Sequence, residues 1–246
     1  MTHRDSARGP DAPVDPDASP RPALDEPVLR VAGLTLAGDE AARTGGEELH
    51  GVDLEVHADT LHAAVGARGA GTRALVAWLS VQDASTGPVA RVGVAQDPAP
   101  LPSPTPRDAL RLSAGLVPDG ADEALLTGLV ATLGLEPLLD RDPGSLAAGE
   151  RLRVGLASAA ARRPAVLVVD HPEAALDPTS LVDLADRLHR LVRTFGLTVL
   201  VGTGDAVLAR DADAVTVLSH GRVVERLGHP TPRQVRVLAT ELLPRG

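Results

Sequence analysis

Apolar residues along the chain follow two alternating periods. Val28-Leu-Arg-Val-Ala-Gly-Leu-Thr-Leu36 alternates well enough to predict a strand, and around His50–His57 the side chains of Val52, Leu54 and Val56 share one face of another. Thr60–Val65 is a short apolar run that reads as a buried strand. It leads into the glycine-rich Gly66-Ala-Arg-Gly-Ala-Gly71, and Ala74–Leu79 beyond that loop reads as helical. Ala165-Val-Leu-Val-Val-Asp170 and Leu197–Val201 are two more buried strands. Between them Thr179–Phe195 is a helix, with Leu181, Leu184, Leu188 and Leu191 at helical spacing and Gly196 as its stop. Residues 104–163 read as mainly helical after a Pro-rich lead-in at Pro98–Pro106, and Ala214–Leu218 with Gly221–Glu225 reads as a final hairpin. Buried strands alternating with helices predict an α/β fold with a mostly parallel sheet, a helical portion at about 104–163 and a small antiparallel portion. Ligands are then expected at the carboxyl ends of the strands.

Residues 1–27 break this pattern. They carry six prolines with many Asp and Arg and almost nothing to bury, so the sequence predicts a disordered tail followed by one ordered domain over 28–246. Composition narrows the core: Trp78 and Phe195 are the only Trp and Phe, Tyr is absent, and the interior must be built from Leu, Val and Ala. All 24 basic residues are arginine. A net charge of -9 argues against nucleic acid as a partner, because that partner selects a positive footprint. The absence of cysteine removes disulfides and thiolate metal sites. No apolar run is long enough to span a bilayer and residues 1–27 hold no signal-peptide core, so a cytoplasmic location is the expectation.

A strand, a glycine loop and a helix in succession are the setting in which such a loop binds phosphate. Further segments follow in a telling order. Arg91-Val-Gly-Val-Ala-Gln-Asp97 contains Gln96, and Leu146-Ala147-Ala148-Gly149-Glu150 comes later in the chain. Val166–Asp170 ends in a carboxylate followed by His171-Pro172, and Ala175-Leu-Asp177 and Thr203-Gly204-Asp205 come next. In this order the segments resemble the ATP-binding subunits of ABC transporters over about Val28 to Gly228. They match, in turn, the phosphate loop, the Q-loop, the signature motif, the Walker B strand, the D-loop and the switch-histidine segment. The resemblance implies a P-loop NTPase-like fold and ATP with Mg²⁺ as ligands, Gln96 and Asp170 being the metal-contacting positions. It also implies a second ATPase subunit and membrane permease subunits as partners, which would hold the chain at the inner face of the membrane. Gly228-His-Pro-Thr-Pro-Arg233 is faintly similar to peptide and nickel importers.

The chemistry departs from the family position by position. Gly66, Gly69, Ala70 and Gly71 keep the shape of a phosphate loop, but the lysine and metal-ligating hydroxyl that should follow are Thr72 and Arg73. A chain without lysine cannot restore one by a shift of register. Arg73 is read either as a solvated helix residue or as a direct partner of phosphate. In both cases it is a poor neighbour for a divalent cation, since two unit charges 4 Å apart repel by ~4 kcal/mol at an effective dielectric near 20. The family's catalytic glutamate is His171, and its switch histidine is Gly204. The signature has Ala147 for serine and Ala148 for glycine, while Leu146, Gly149 and Glu150 match. Residues 28–58 offer no aromatic for the adenine, His50 being the best ring available. From the loop to Gln96 the chain is shorter than the family pattern, which predicts that a strand or hairpin at the edge of the nucleotide site is missing. Nucleotide-composition drift explains Lys to Arg but not Lys to Thr, Glu to His or His to Gly. These changes predict a pseudo-ATPase, with weak ATP binding and doubtful Mg²⁺. Two other readings stay open: a working ATPase that uses Arg73 and His171, and a soluble regulatory protein that keeps the fold.

The tail generates the first test. Limited proteolysis is expected to trim the chain to near Val28 and leave a folded remainder, and resistance of residues 1–27 in the isolated protein would contradict the composition argument.

Overall fold

The computed structural model describes residues 27–44, 46–81, 91–94, 103–116 and 122–238. Residues 1–26 of the predicted tail, Gln96 and most of the Pro-rich lead-in lie outside the described residues. The first two strands, β1 (Leu29–Leu36) and β2 (Leu49–Val56), pair antiparallel with the short helix α1 (Gly38–Arg43) between them. Next come β3 (Leu61–Val65), α2 (Thr72–Val81) and β4 (Arg91–Val94). Three helices follow: α3 (Pro106–Gly115), α4 (Glu123–Leu133) and α5 (Ala148–Ala161). The remainder is β5 (Val166–Asp170), α6 (Pro178–Phe195), β6 (Val199–Thr203), β7 (Ala214–Ser219), β8 (Arg222–Gly228) and α7 (Pro232–Val237).

The main sheet has the order β4-β5-β6-β3-β7-β8, parallel throughout except for the antiparallel edge strand β8. Its central strands are apolar on both faces because each face is covered, as parallel sheets require. Alternate residues divide cleanly between two layers. Ala63, Val65, Leu167, Val169, Val199 and Val201 join the helical side with α5 and α6, whereas Ala64, Val166, Val168 and Leu200 join the side built from α2 and the β1–β2 sheet. The two aromatics serve as packing pieces at the margins: Trp78 packs on the second layer, and Phe195 on the first. A Cβ on Gly128 of α4 would come within 2.8 Å of the Phe195 ring, so the ring takes the space that glycine leaves.

Where sequence and structure differ, the cause is local. The predicted strand Leu197–Val201 is displaced to Val199–Thr203, because Gly202 and Thr203 pair with Ala64 and Val65 of β3. Thr198 before it is a junction, its hydroxyl accepting from the Asp59 N–H and its carbonyl from the Leu167 N–H. The helix expected over Ala74–Leu79 begins at Thr72 and runs to Val81. Helix α6 starts at Pro178 because the Asp177 carboxylate accepts from the Thr179 and Ser180 N–H groups, and it ends at Gly196 in the left-handed conformation. Helices α1 and α7 were not signalled; both are six residues long and too short to display a period. Among the described residues the small antiparallel sheet consists of β1 and β2 alone.

One buried polar pair lies inside this core. His62 on β3 meets the Thr216 hydroxyl of β7 at 2.9 Å, and burial together with the positive charge of nearby His57 and Arg226 lowers its pKa from 6.5 to about 4. The unfolded chain therefore takes up this proton below pH 6.5, while the folded one refuses it until about pH 4. The His62 contribution is complete above pH 6.5 and declines as pH falls toward 4, by about 3 kcal/mol in total. The paired replacement His62→Leu with Thr216→Val is expected to flatten that part of the stability profile in denaturant titrations. An unchanged slope between pH 7 and 4 would contradict a neutral buried imidazole.

Candidate functional site

Strands β3, β5 and β6 end side by side, and the turns that leave them meet at one cleft of about 500 Å³. The turn after β3 is Gly66–Gly71. Ala70 donates to the Ala67 carbonyl, and Gly66 donates to the Thr203 carbonyl, which ties the loop to β6. Gly71 has a φ of +100°, and a Cβ there would lie 2.6 Å from Leu49, so no other residue serves at that position. With φ of +82° at Gly69 as well, the amides of Gly69 and Gly71 turn toward one point, as in an anion-binding nest. Both are engaged. They donate to the two oxygens of the Glu47 carboxylate at 3.0 Å each.

Thr72 and His171, which stand where the resemblance places a lysine and a glutamate, are bonded to each other. The Thr72 hydroxyl lies 3.2 Å from His171 Nε2, and His171 Nδ1 lies 2.6 Å from Asp170 Oδ1. The neutral tautomer protonated at Nδ1 satisfies all three groups, donating to the carboxylate and accepting from the hydroxyl. His171 adopts a φ of +42°, held by its own N–H on the Gly202 carbonyl at 2.8 Å and by its carbonyl on the Ala174 N–H at 3.1 Å. Gly202 makes room for the ring: a Cβ there would meet Val76 at 2.3 Å and the imidazole at 3.6 Å. The Asp–His–Thr order is that of a hydrolytic triad, but Thr72 is only 1% exposed at the base of α2 and its hydroxyl is engaged with His171. With both ring nitrogens bonded, His171 has none free to take a proton from water.

The opposite wall comes from the turns that follow β5 and β6. Glu173 accepts from the Gly204 N–H at 2.6 Å and from the Thr203 hydroxyl at 2.9 Å, so a carboxylate covers the segment where the family carries its switch histidine. Arg68 and Arg73 line the same cleft and are its positive charges. An anion fits here, as the Glu47 carboxylate on the loop amides demonstrates. Mg²⁺ does not fit. It needs several oxygen ligands in octahedral array, but Asp170 Oδ1 is held by His171, the neighbouring hydroxyl is spent on the same ring, and an arginine follows. Among the described residues no group of His, Asp and Glu is arranged to hold a metal.

The signature and D-loop residues form a second cleft of about 340 Å³, lined by Ala147, Gly149, Leu176 and Asp177. The Glu150 carboxylate accepts from the Ala147 N–H at 2.8 Å and pairs with Arg141 at 3.2 Å, and the Arg151 guanidinium donates to the Leu146 carbonyl at 2.7 Å. Ala148 is the first residue of α5. A Cβ on Gly149 would come within 2.7 Å of Leu176, so glycine lets the signature helix lie against the D-loop. The Ser180 hydroxyl and the α6 amides hold the Asp177 carboxyl below the usual carboxylate range.

The structure thus gathers Gly66, Gly69, Thr72, Arg73, His171 and Gly204 around the first cleft, with Asp170 behind His171. Ala70 is buried, its carbonyl accepting from Gly221 on the far side of the loop. His50 is half-exposed and sits against Gly221. Glu47 and Glu173 were missed. Glu173 carried a usable signal, an acid two residues beyond the altered His171; Glu47 belongs to no motif and reaches the loop only through the fold.

No protein-family model matches the chain. It is 31% identical over 204 residues to the methionine import ATP-binding protein MetN of Rhodospirillum rubrum, an alignment that covers 73% of this chain and 58% of that protein. Over 224 residues it is 31% identical to the aliphatic sulfonates import ATP-binding protein SsuB 1 of Rhizobium johnstonii, covering 83% of this chain and 80% of that one. In fold it is similar to cbiO1 of Clostridium perfringens, part of the ABC transporter complex cbiONQ. The TM-score is 0.69 at 22% identity, over 88% of this chain and 96% of the other. The sequence relation reaches across four-fifths of an import subunit and so goes beyond a shared fold; the chain belongs to the family of ABC transporter ATP-binding subunits.

Proposed function

We propose that this chain is a nucleotide-binding subunit without hydrolysis of its own, working beside an intact ATP-binding subunit and membrane permease subunits. The observation that carries this reading is the hydrogen-bonded chain Asp170–His171–Thr72, which consumes the groups that would otherwise hold a metal or activate water. A positioned general base is worth roughly 10²–10⁴-fold in rate, and here the base, the lysine, the second hydroxyl and the switch histidine are absent together. The loop amides and the N-terminus of α2 remain suited to phosphate. ATP therefore binds weakly through them with help from Arg68 and Arg73, and without Mg²⁺. No described helix is long and apolar enough to cross a membrane.

Two measurements test the inactive half. Calorimetric titration with ATP is expected to give the same weak affinity with Mg²⁺ and with a chelator, and turnover of the purified chain should not exceed background. Turnover that Asp170→Ala abolishes would instead establish an active ATPase that uses His171.

Pairing generates a second prediction. In a head-to-tail dimer the partner's intact phosphate loop would face Leu146–Glu150 of this chain. That site lacks the serine hydroxyl at Ala147, and losing a hydrogen bond to a charged group costs roughly 1.5–3 kcal/mol. The site is impaired but keeps the amides of α5. In the complex with its partner ATPase, Gly149→Leu is expected to lower turnover by about tenfold or more, since overpacking against Leu176 costs roughly 1–3 kcal/mol. His171→Ala should leave turnover nearly unchanged. The reverse pattern would assign the live site to the other half, and failure to associate with any ATPase subunit would favour a free-standing regulatory protein.

A further inference from the structure

Glu47 occupies the place of a ligand. Its two carboxylate oxygens each take one of the amides that the glycine loop turns outward, Gly69 and Gly71, at 3.0 Å. The segment that carries it is fixed from the other side. The His50 N–H donates to the Gly221 carbonyl at 2.8 Å, and the Gly221 N–H donates to the Ala70 carbonyl at 2.9 Å. A Cβ on Gly221 would come within 2.4 Å of the Glu48 carbonyl, and one on Gly71 within 2.6 Å of Leu49. The Glu47–His50 segment, the β7–β8 turn and the phosphate loop are therefore interlocked through two glycines, and Glu47 is delivered to the amides by the backbone. Among the described residues Glu47 makes no ion pair, so the loop is its anchor. Across the cleft Glu173 takes the Gly204 amide in the same manner, at 2.6 Å.

We propose that Glu47 is a built-in competitor for the phosphate cradle, holding the Gly69 and Gly71 amides until a nucleotide phosphate displaces it. This rests on the reading that the cleft takes nucleotide. A ligand that binds only the state with Glu47 released has its apparent Kd raised by the inverse of that state's population. Glu47 would then set how weakly this subunit binds nucleotide, and any contact that draws Glu47 away from the loop would raise affinity with no change at the cradle itself.

The test compares the full chain with Glu47→Gln and Glu47→Ala, and with Glu48→Gln as an exposed neighbour. ATP is titrated calorimetrically in the presence of a chelator. Both Glu47 variants are expected to bind at least tenfold more tightly than the unaltered chain, whereas Glu48→Gln should match it. Equal or weaker ATP binding by both Glu47 variants overturns the proposal. Backbone amide NMR separates this from the reading it rests on. Without ligand, Glu47→Ala should move the Gly69 and Gly71 amide protons selectively, and inorganic pyrophosphate should move them further in the variant than in the unaltered chain. If ATP binds to no form while these shifts appear, the cradle is plugged but the nucleotide reading fails. If the two amides do not respond to Glu47→Ala, the plug itself is refuted.

Discussion

The turn after β3 leaves the amides of Gly69 and Gly71 without an intrahelical acceptor, and the cleft is arranged around satisfying them. Amides at the start of a helix must find partners, and when they converge they favour an anion. In an ATP-binding subunit the natural anion is phosphate. Here the chain provides its own carboxylate from Glu47, and Glu173 performs the same service for Gly204.

The same logic governs Thr72 and His171. Taken singly, each is a departure from the expected family residue. Together they are a mutual satisfaction, a hydroxyl donating to an imidazole that donates to Asp170. Buried polar groups left unpaired are costly, typically by roughly 1–3 kcal/mol each, so exchanging lysine for threonine and glutamate for histidine removes two charges and leaves no orphan.

Arginine alone carries the positive charge, and its reach shapes the helical region. Arg187 donates to the Thr132 carbonyl and Arg153 to those of Leu133 and Gly134, so two guanidinium groups converge on the C-terminal end of α4. Cations at that end complement the helix dipole as well as the free carbonyls. Arg141 does comparable work on the Ser145 carbonyl and Glu150, which steadies the turn that leads into α5. The segment that opens α5 is thus held by arginines.

The sequence by itself determined the α/β class, most of the strands and the run of family motifs. These depend on short-range periodicity: Leu181, Leu184, Leu188 and Leu191 define one face of a helix wherever that helix packs, and Val166–Asp170 is a buried strand in any parallel sheet. It also determined that no lysine is available to the glycine loop, because the chain contains none. What filled the vacated places was decided only by tertiary structure. Glu47 is 22 residues before Gly69, Thr72 is 99 before His171, and Glu173 is 31 before Gly204. No local period encodes those separations. They close because β3, β5 and β6 lie adjacent in the sheet, and because Gly71, Gly202 and Gly221 let the backbones approach within the width of a Cβ.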